Sequence, residues 1–137
     1  MTEKICYKEI PSDRSLLPAL DEFIIGVAKD AGLSPEKFNN LSLSFSEAVS
    51  NSIIHGNKND PDKRIRITVK VDDSKMVIII KDQGKGFDLG SIPDPTKPEN
   101  LLKESGRGIH IIKSFVDDLK YNFTGDGTET ILVLNLK

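Results

Sequence analysis

Four short patterns of polar and glycine residues have types and spacings suited to chemistry. Glu47, Asn51 and His55 recur at steps of four, which in a helix aligns them along one stripe. A carboxylate there could take a proton, and an amide oxygen one turn away could bind a hard cation such as Mg²⁺. The same spacing is also typical of a polar row on a surface helix. Alone, this pattern leaves both interpretations open.

A second pattern follows the uniformly apolar run Met76–Ile80, where Asp82 begins the segment Asp-Gln-Gly-Lys-Gly. It would put a carboxylate acceptor at a strand end, beside glycine backbone that a ligand can approach closely. An ordinary turn is the alternative. The segment is not a dinucleotide-binding fingerprint, because no helix begins there. The chain also lacks the Gly-Lys-Ser/Thr of a Walker A loop.

The remaining two patterns lie in the last third of the chain. Gly106-Arg107-Gly108 precedes a helical pattern, so its backbone N–H groups would face a ligand at the positive end of a helix dipole, where phosphate binds well. Arg107 adds a permanent positive charge. Thr128 and Thr130 point to the same side of the last predicted strand. A glycine-rich helix start and plain strand-forming threonines are the alternatives.

Periodicity predicts the elements that must position these residues. A helix is expected from Ser12, or from Ala19 because of Pro18, and a second begins with Ser34 as N-cap and ends at Gly56. Alternating residues predict strands, and a further helix follows a long loop. The expected order is strand 3–10, two helices, strands 64–71 and 76–80, loop 82–108, a helix from 108, and a hairpin of 119–124 with 128–136. This order predicts an α+β two-layer sandwich, whose mixed, mostly antiparallel sheet is covered on one face by three helices.

Composition limits the classes of function. The 137 residues suit one domain, with 37% hydrophobic and 29% charged residues. Nineteen basic residues against 21 acidic ones argue against a dedicated binder of nucleic acid. A single cysteine excludes an internal disulfide. No apolar run is long enough for a membrane helix and the N-terminus has no signal-like segment, so we expect a cytoplasmic protein without a membrane partner.

Taken together and in order, the patterns resemble the GHKL ATPase superfamily. The similarity runs from about Ser34 to the C-terminus, and Glu-Ala-Val-Ser-Asn-Ser-Ile-Ile-His-Gly from Glu47 to Gly56 is most similar to the branch of anti-sigma-factor serine kinases. The resemblance implies a histidine-kinase-like ATPase fold over residues 1–137, with a lid loop at about 88–105. It also implies ATP and Mg²⁺ as cofactors.

The resemblance assigns roles residue by residue. Glu47 would be the general base toward a serine hydroxyl, and Asn51 would ligate Mg²⁺ between the ATP phosphates. Asp82 would accept a hydrogen bond from the adenine amine, backed by Thr128 through a water or, as second choice, by Thr130. The other expected contacts are Gly84 and Gly86 beside the base, and Gly106, Arg107 and Gly108 at the β- and γ-phosphates.

The function implied by the resemblance is that of an ATP-dependent serine/threonine kinase. It would phosphorylate a STAS-type anti-anti-sigma factor, sequester a sigma factor, and form a homodimer, for which the edge segment 3–10 is a candidate surface. Two alternatives remain. One is a nucleotide-gated binding module without phosphotransfer. The other is the detached catalytic domain of a two-component histidine kinase, which the position of Glu47 disfavours.

Overall fold

The fold consists of a helical layer packed on one sheet. A computed structural model describes residues 3–58, 60–83, 112, 116–124 and 127–136. Its strands and α-helices are β1 Lys4–Pro11, α1 Leu17–Ala31, α2 Phe38–Asn51, β2 Arg64–Val71, β3 Lys75–Asp82, β4 Asp118–Thr124 and β5 Gly127–Asn135. The predicted α+β sandwich is therefore confirmed. Of the third predicted helix only Ile112 is described; it is helical and fully buried.

The five strands pair in the order β1-β2-β3-β5-β4, and each of these pairings is antiparallel. β3 therefore lies at the centre, between β2 and β5. In the β3–β5 register Asp82 is opposite Thr128, and Ile80 is opposite Thr130. This register brings the predicted acceptor and the predicted threonines to the same end of the sheet.

Alternation along the strands separates a buried face from an open one. In β2 the residues Ile65, Ile67, Val69 and Val71 are buried, whereas Arg66 between them is exposed. Since the buried side chains share one face of the sheet, the helices cover that face. Among the residues that the structure describes, the core contains twelve large side chains that are fully buried: Phe45, Leu20, Leu41, Leu132, Met76 and the isoleucines 24, 53, 65, 67, 78, 80 and 112.

The first helix begins between its two predicted starts, Ser12 and Ala19, and the second begins later than its signal at Ser34 suggests. A 3₁₀ turn at Arg14–Leu16 comes before α1, and Asp13 caps that turn by accepting the Ser15 N–H at 2.9 Å. α1 then begins at Leu17, which leaves Pro18 in the first turn, where its missing N–H costs nothing. A second 3₁₀ turn, Pro35–Lys37, precedes α2. None of the helices in the described ranges is long and apolar enough to span a membrane.

Candidate functional site

Glu47 and Asn51 lie one turn apart near the C-terminal end of α2, as their spacing predicts. The apolar side of the helix is held in the core by Leu41, Phe45 and Val49, all essentially inaccessible to solvent. The side chains of Glu47 and Asn51 are half-buried at the border of that apolar stripe. A carboxylate and an amide oxygen are therefore fixed in orientation by core packing while they keep access to solvent.

Directly after Asn51 the backbone widens into a π-helical turn, Ser52–Gly56. The Asn57 N–H donates to the Ser52 carbonyl at 2.8 Å and closes this turn. Single π turns are often found at functional sites, because the extra residue redirects the side chains that follow. The predicted helical stripe therefore holds through Asn51 and not beyond it. The side chain of His55 lies outside the described residues.

The π turn packs on the ends of β3 and β5, where Asp82 is completely buried. A Cβ atom added to Gly56 would overlap the Asp82 carboxylate, and one added to Gly127 would overlap the Asp82 carbonyl group. The Thr128 N–H donates to Asp82 Oδ1 at 3.3 Å. Asp82 is thus enclosed on two sides by glycine backbone, one from the end of the helix and one from the neighbouring strand.

Two buried hydroxyl groups lie in the elements around this carboxylate. Ser52 is in the π turn and Thr128 is opposite Asp82, and within the described ranges neither hydroxyl oxygen has a hydrogen-bond partner. Thr130 is buried one strand position further along on the same face. Unpartnered buried hydroxyls are uncommon in native proteins and often mark the position of a bound water or ligand. This set of donors and acceptors fits a nucleobase amine together with ordered water.

Burial also shifts the pKa of an ionisable group on a neighbouring strand. Tyr121 in β4 is opposite Thr130 in β5, and desolvation raises the pKa of its phenol to about 12. The phenol therefore stays neutral at physiological pH. The described ranges contain no group of three or more His, Cys, Asp or Glu side chains able to hold a metal ion. A cation at Asn51 would accordingly need further oxygen ligands from elsewhere, and phosphate groups can supply them.

Several predicted site residues lie outside the described ranges and stay predictions. These are Gly84, Gly86, Gly106, Arg107, Gly108 and the predicted lid at 88–105. The structure brings Asp82 and Thr128 together, with Gly56 against the same carboxylate. Sequence reasoning missed the contribution of Gly56, which had the pattern of a helix end, and that of Asn57, which had the pattern of a polar loop. The one local signal for Asn57 is its position directly after that glycine.

Comparison with known proteins gives a consistent result. A family model described as a histidine kinase-like ATPase domain matches residues 10–134. An anti-sigma F factor of Shouchella clausii is 39% identical over 89 residues, which are 62% of this chain and 60% of that protein. A serine-protein kinase RsbW of Oceanobacillus iheyensis is 32% identical over 103 residues, 71% of this chain and 65% of that protein. The chain thus spans less than two thirds of the length of these two relatives.

A solved structure shares the fold. The RsbU and RsbW domains of a Mycobacterium tuberculosis protein superpose with a TM-score of 0.69 over 97% of this chain and 32% of that one, at 12% identity. At such low identity the likeness concerns the fold alone. It agrees with the antiparallel sheet and the helical layer described above.

Proposed function

Because this chain belongs to the histidine kinase-like ATPase family, in its branch of anti-sigma factors and serine-protein kinases, we propose that it is an ATP-dependent serine/threonine protein kinase. Its substrate is a STAS-type anti-anti-sigma factor, and it also binds and sequesters a sigma factor. Residues 1–137 act as one ATP-binding domain. The observation that carries the proposal is the buried Asp82, which a glycine from the end of α2 and a glycine from β5 enclose.

The adenine end of the site is built around Asp82. A buried carboxylate is an acceptor with no competing bulk water, so it discriminates strongly for a ligand that donates to it. The adenine amine is such a donor, and Thr128 supports the same contact through a water, with Thr130 as second choice. Gly84 and Gly86 leave space beside the base.

The phosphate end lies along α2. Asn51 ligates Mg²⁺, which when bound neutralises charge on the phosphate oxygens. Glu47 accepts the proton of the substrate hydroxyl while the hydroxyl oxygen bonds to the γ-phosphorus. At the same time the bond between that phosphorus and the β,γ-bridging oxygen breaks, and ADP leaves. Gly106, Arg107 and Gly108 contact the β- and γ-phosphates when the lid at 88–105 closes.

Mass spectrometry of the intact proteins tests the activity. The protein is incubated with Mg²⁺, ATP and a STAS partner, and we expect the partner to gain the mass of one phosphoryl group on serine or threonine. The Asp82→Asn protein, once its fold has been checked by circular dichroism, serves as the control and is expected to leave the partner unmodified. A partner that is bound in the presence of ATP yet keeps its mass would support the nucleotide-gated binding module instead. An acid-labile phosphate on histidine would support a histidine kinase.

The protein also forms a homodimer through the edge strand β1. Ile5 and Tyr7 on this strand are 60% and 56% exposed, which is unusual for large apolar side chains. The outer edge of β1 offers backbone N–H and C=O groups to a second strand. A second copy of the chain would cover both the apolar side chains and these groups.

A further inference from the structure

Asn57 is a buried polar residue that the proposed chemistry leaves without a role. It follows the π turn directly, and its side chain is completely inaccessible to solvent. Asparagine is seldom buried to this degree unless its amide is satisfied by hydrogen bonds. Where those bonds go therefore indicates what the residue holds in place.

The amide of Asn57 joins three separate segments of the chain. Its Nδ2 group donates to Ser12 Oγ at 2.7 Å and to the Arg64 carbonyl at 3.1 Å. Its Oδ1 atom accepts the backbone N–H of Gln83 at 2.7 Å. The side chain thus links the end of β1, the start of β2 and the residue that follows β3. Both donor hydrogens and one acceptor position are used, so few other side chains could replace it.

The contact with Gln83 bears directly on Asp82, because the N–H of Gln83 belongs to the peptide unit that carries the Asp82 carbonyl. Gly56 and Asn57 therefore act on Asp82 and Gln83 in turn. Gly56 lies against the Asp82 carboxylate, and Asn57 accepts the N–H of Gln83. On the other side, Gly127 leaves room for the Asp82 carbonyl. The peptide unit that follows Asp82 is thus held by Asn57 at its N–H and bounded by Gly127 at its carbonyl.

The backbone conformation of the residue after Asn57 also indicates that this segment is held in place by its contacts. Lys58 has a φ of 57°, a left-handed conformation that non-glycine residues adopt infrequently. Such a conformation persists only where surrounding contacts require it. The three hydrogen bonds of Asn57, and the one from its own N–H to Ser52, are contacts of that kind.

We propose that Asn57 is the positioning residue that orients Asp82 and thereby sets the preference of the site for adenine over a purine without the exocyclic amine. This inference rests on the proposed nucleotide site. Asn57 does not touch the nucleotide; it acts through the peptide unit between Asp82 and Gln83. Removal of its Oδ1 atom frees that unit to rotate, and the carboxylate loses its alignment with the amine.

The test compares the binding of ATP and inosine triphosphate, which has a carbonyl in place of the amine, by calorimetry with Mg²⁺. In Asn57→Leu, which keeps the approximate volume but removes the Oδ1 acceptor together with both Nδ2 donors, we expect the ratio of the two affinities to fall about tenfold. Ser12→Ala is the matched control, because it weakens the same junction but keeps the Gln83 contact. It is expected to lower stability and leave the ratio unchanged. An unchanged ratio in folded Asn57→Leu overturns the proposal.

A second pair of variants tests the hydrogen bond between Asn57 and Gln83 at Gln83, whose side chain is exposed. Gln83→Pro has no N–H to donate, whereas Gln83→Ala keeps it; both variants lose the side chain, whose Oε1 accepts the Arg64 N–H. The proposal requires the ratio to fall in Gln83→Pro and not in Gln83→Ala, and a ratio that is equal in the two overturns it.

A wild type that binds both nucleotides equally would overturn the adenine assignment, and this inference with it. A wild-type preference that is lost in Asp82→Asn but kept in Asn57→Leu overturns this inference alone.

Discussion

At the scale of single residues, the site depends on two positions where a side chain is absent. Gly56 and Gly127 come from different elements, yet each is required because Asp82 occupies the volume that a Cβ atom would take. Neither glycine has a positive φ, so space and not backbone conformation selects the residue. Glycine backbone on two sides therefore leaves room for a carboxylate that is completely buried.

Gly56→Ala is predicted to disturb the carboxylate. The added methyl group must displace either the π turn or Asp82, and overpacking of this kind costs about 1–3 kcal/mol of unfolding free energy. Since the displaced atoms include the proposed acceptor, ATP affinity measured by calorimetry should fall about tenfold. Gly26→Ala is the matched control, because nothing lies within 4 Å of that position on α1. It should raise stability by about 0.5–1 kcal/mol and leave ATP affinity unchanged.

Glu47→Gln separates binding from chemistry. Glutamine keeps the shape and the hydrogen-bonding oxygen but accepts a proton poorly, so phosphotransfer to the partner should slow by about 10²–10⁴-fold. ATP affinity should stay at the wild-type value, because Glu47 is proposed to contact the incoming hydroxyl and not the nucleotide. Rates from intact-mass time courses and affinities from calorimetry measure the two quantities. Transfer at the wild-type rate would remove Glu47 from the role of base.

The uniformly apolar run 76–80 placed Asp82 at a strand end, and the family resemblance implied that Thr128 supports it; the strand register puts the two residues opposite each other. Asn57 was not predictable. Its role depends on Ser12, Arg64 and Gln83, which lie 45, 7 and 26 residues away in the chain. No local pattern records which of several polar loop residues will be enclosed when such distant segments meet. The roles of Gly56 and Asn57 therefore needed the tertiary structure.

At the scale of elements, strands were predicted more closely than helix ends. β2 has the predicted bounds, since its buried and exposed residues alternate without interruption. The helices begin after 3₁₀ turns at Arg14–Leu16 and Pro35–Lys37. Pro35 fits the first turn of either helix type, so it does not fix which type forms there. The π turn at Ser52–Gly56 was not predicted either, since its apolar residues also fit an α-helical period.

The tight turn between β2 and β3 provides a prediction about pH. Asp72 Oδ1 accepts the N–H groups of Ser74 and Lys75 at 2.8 and 2.9 Å, and the Ser74 hydroxyl also donates to it. These bonds favour the charged carboxylate and hold the pKa of Asp72 below its ordinary value of 3.8. Because the pKa of Asp72 is lower in the folded state than in the unfolded state, the charged carboxylate stabilises the fold at pH values above 3.8. The added stability is lost as the pH falls through the folded-state pKa.

Urea unfolding of Asp72→Asn checks this contribution. Asparagine keeps an oxygen acceptor and loses the charge, so the variant should be less stable than the wild type at neutral pH. The difference should shrink as the pH falls below 3.8. Asp73→Asn removes the same charge one residue further along and controls for net charge. Parallel curves for the wild type and Asp72→Asn at all pH values would contradict the assignment.

At the scale of the whole molecule, the interior of the sheet and its β1 edge have unlike surroundings. β5 and β3 occupy the interior and carry the acceptor, whereas β1 forms an edge whose residues are mostly exposed. Among the described residues the large apolar side chains that are exposed are Ile5, Tyr7 and Leu43. Two of these three lie on β1, on the face of the sheet that the helices leave open. The candidate surface for a second copy therefore lies on β1, two strands away from Asp82 on β3.

Ile5→Lys is predicted to weaken the proposed dimer and spare the site. A lysine on an edge strand opposes strand pairing, and the isoleucine would no longer contribute the roughly 1.5–3 kcal/mol that burial of such a side chain provides. Sedimentation velocity over a range of concentrations should show a shift from dimer to monomer, while ATP affinity stays constant. Leu43→Lys, which puts the same charge on an exposed apolar position of α2, is the matched control and should leave the dimer intact. If Leu43→Lys dissociates the protein and Ile5→Lys does not, the pairing surface lies on the helical layer and the edge strand has no part in it.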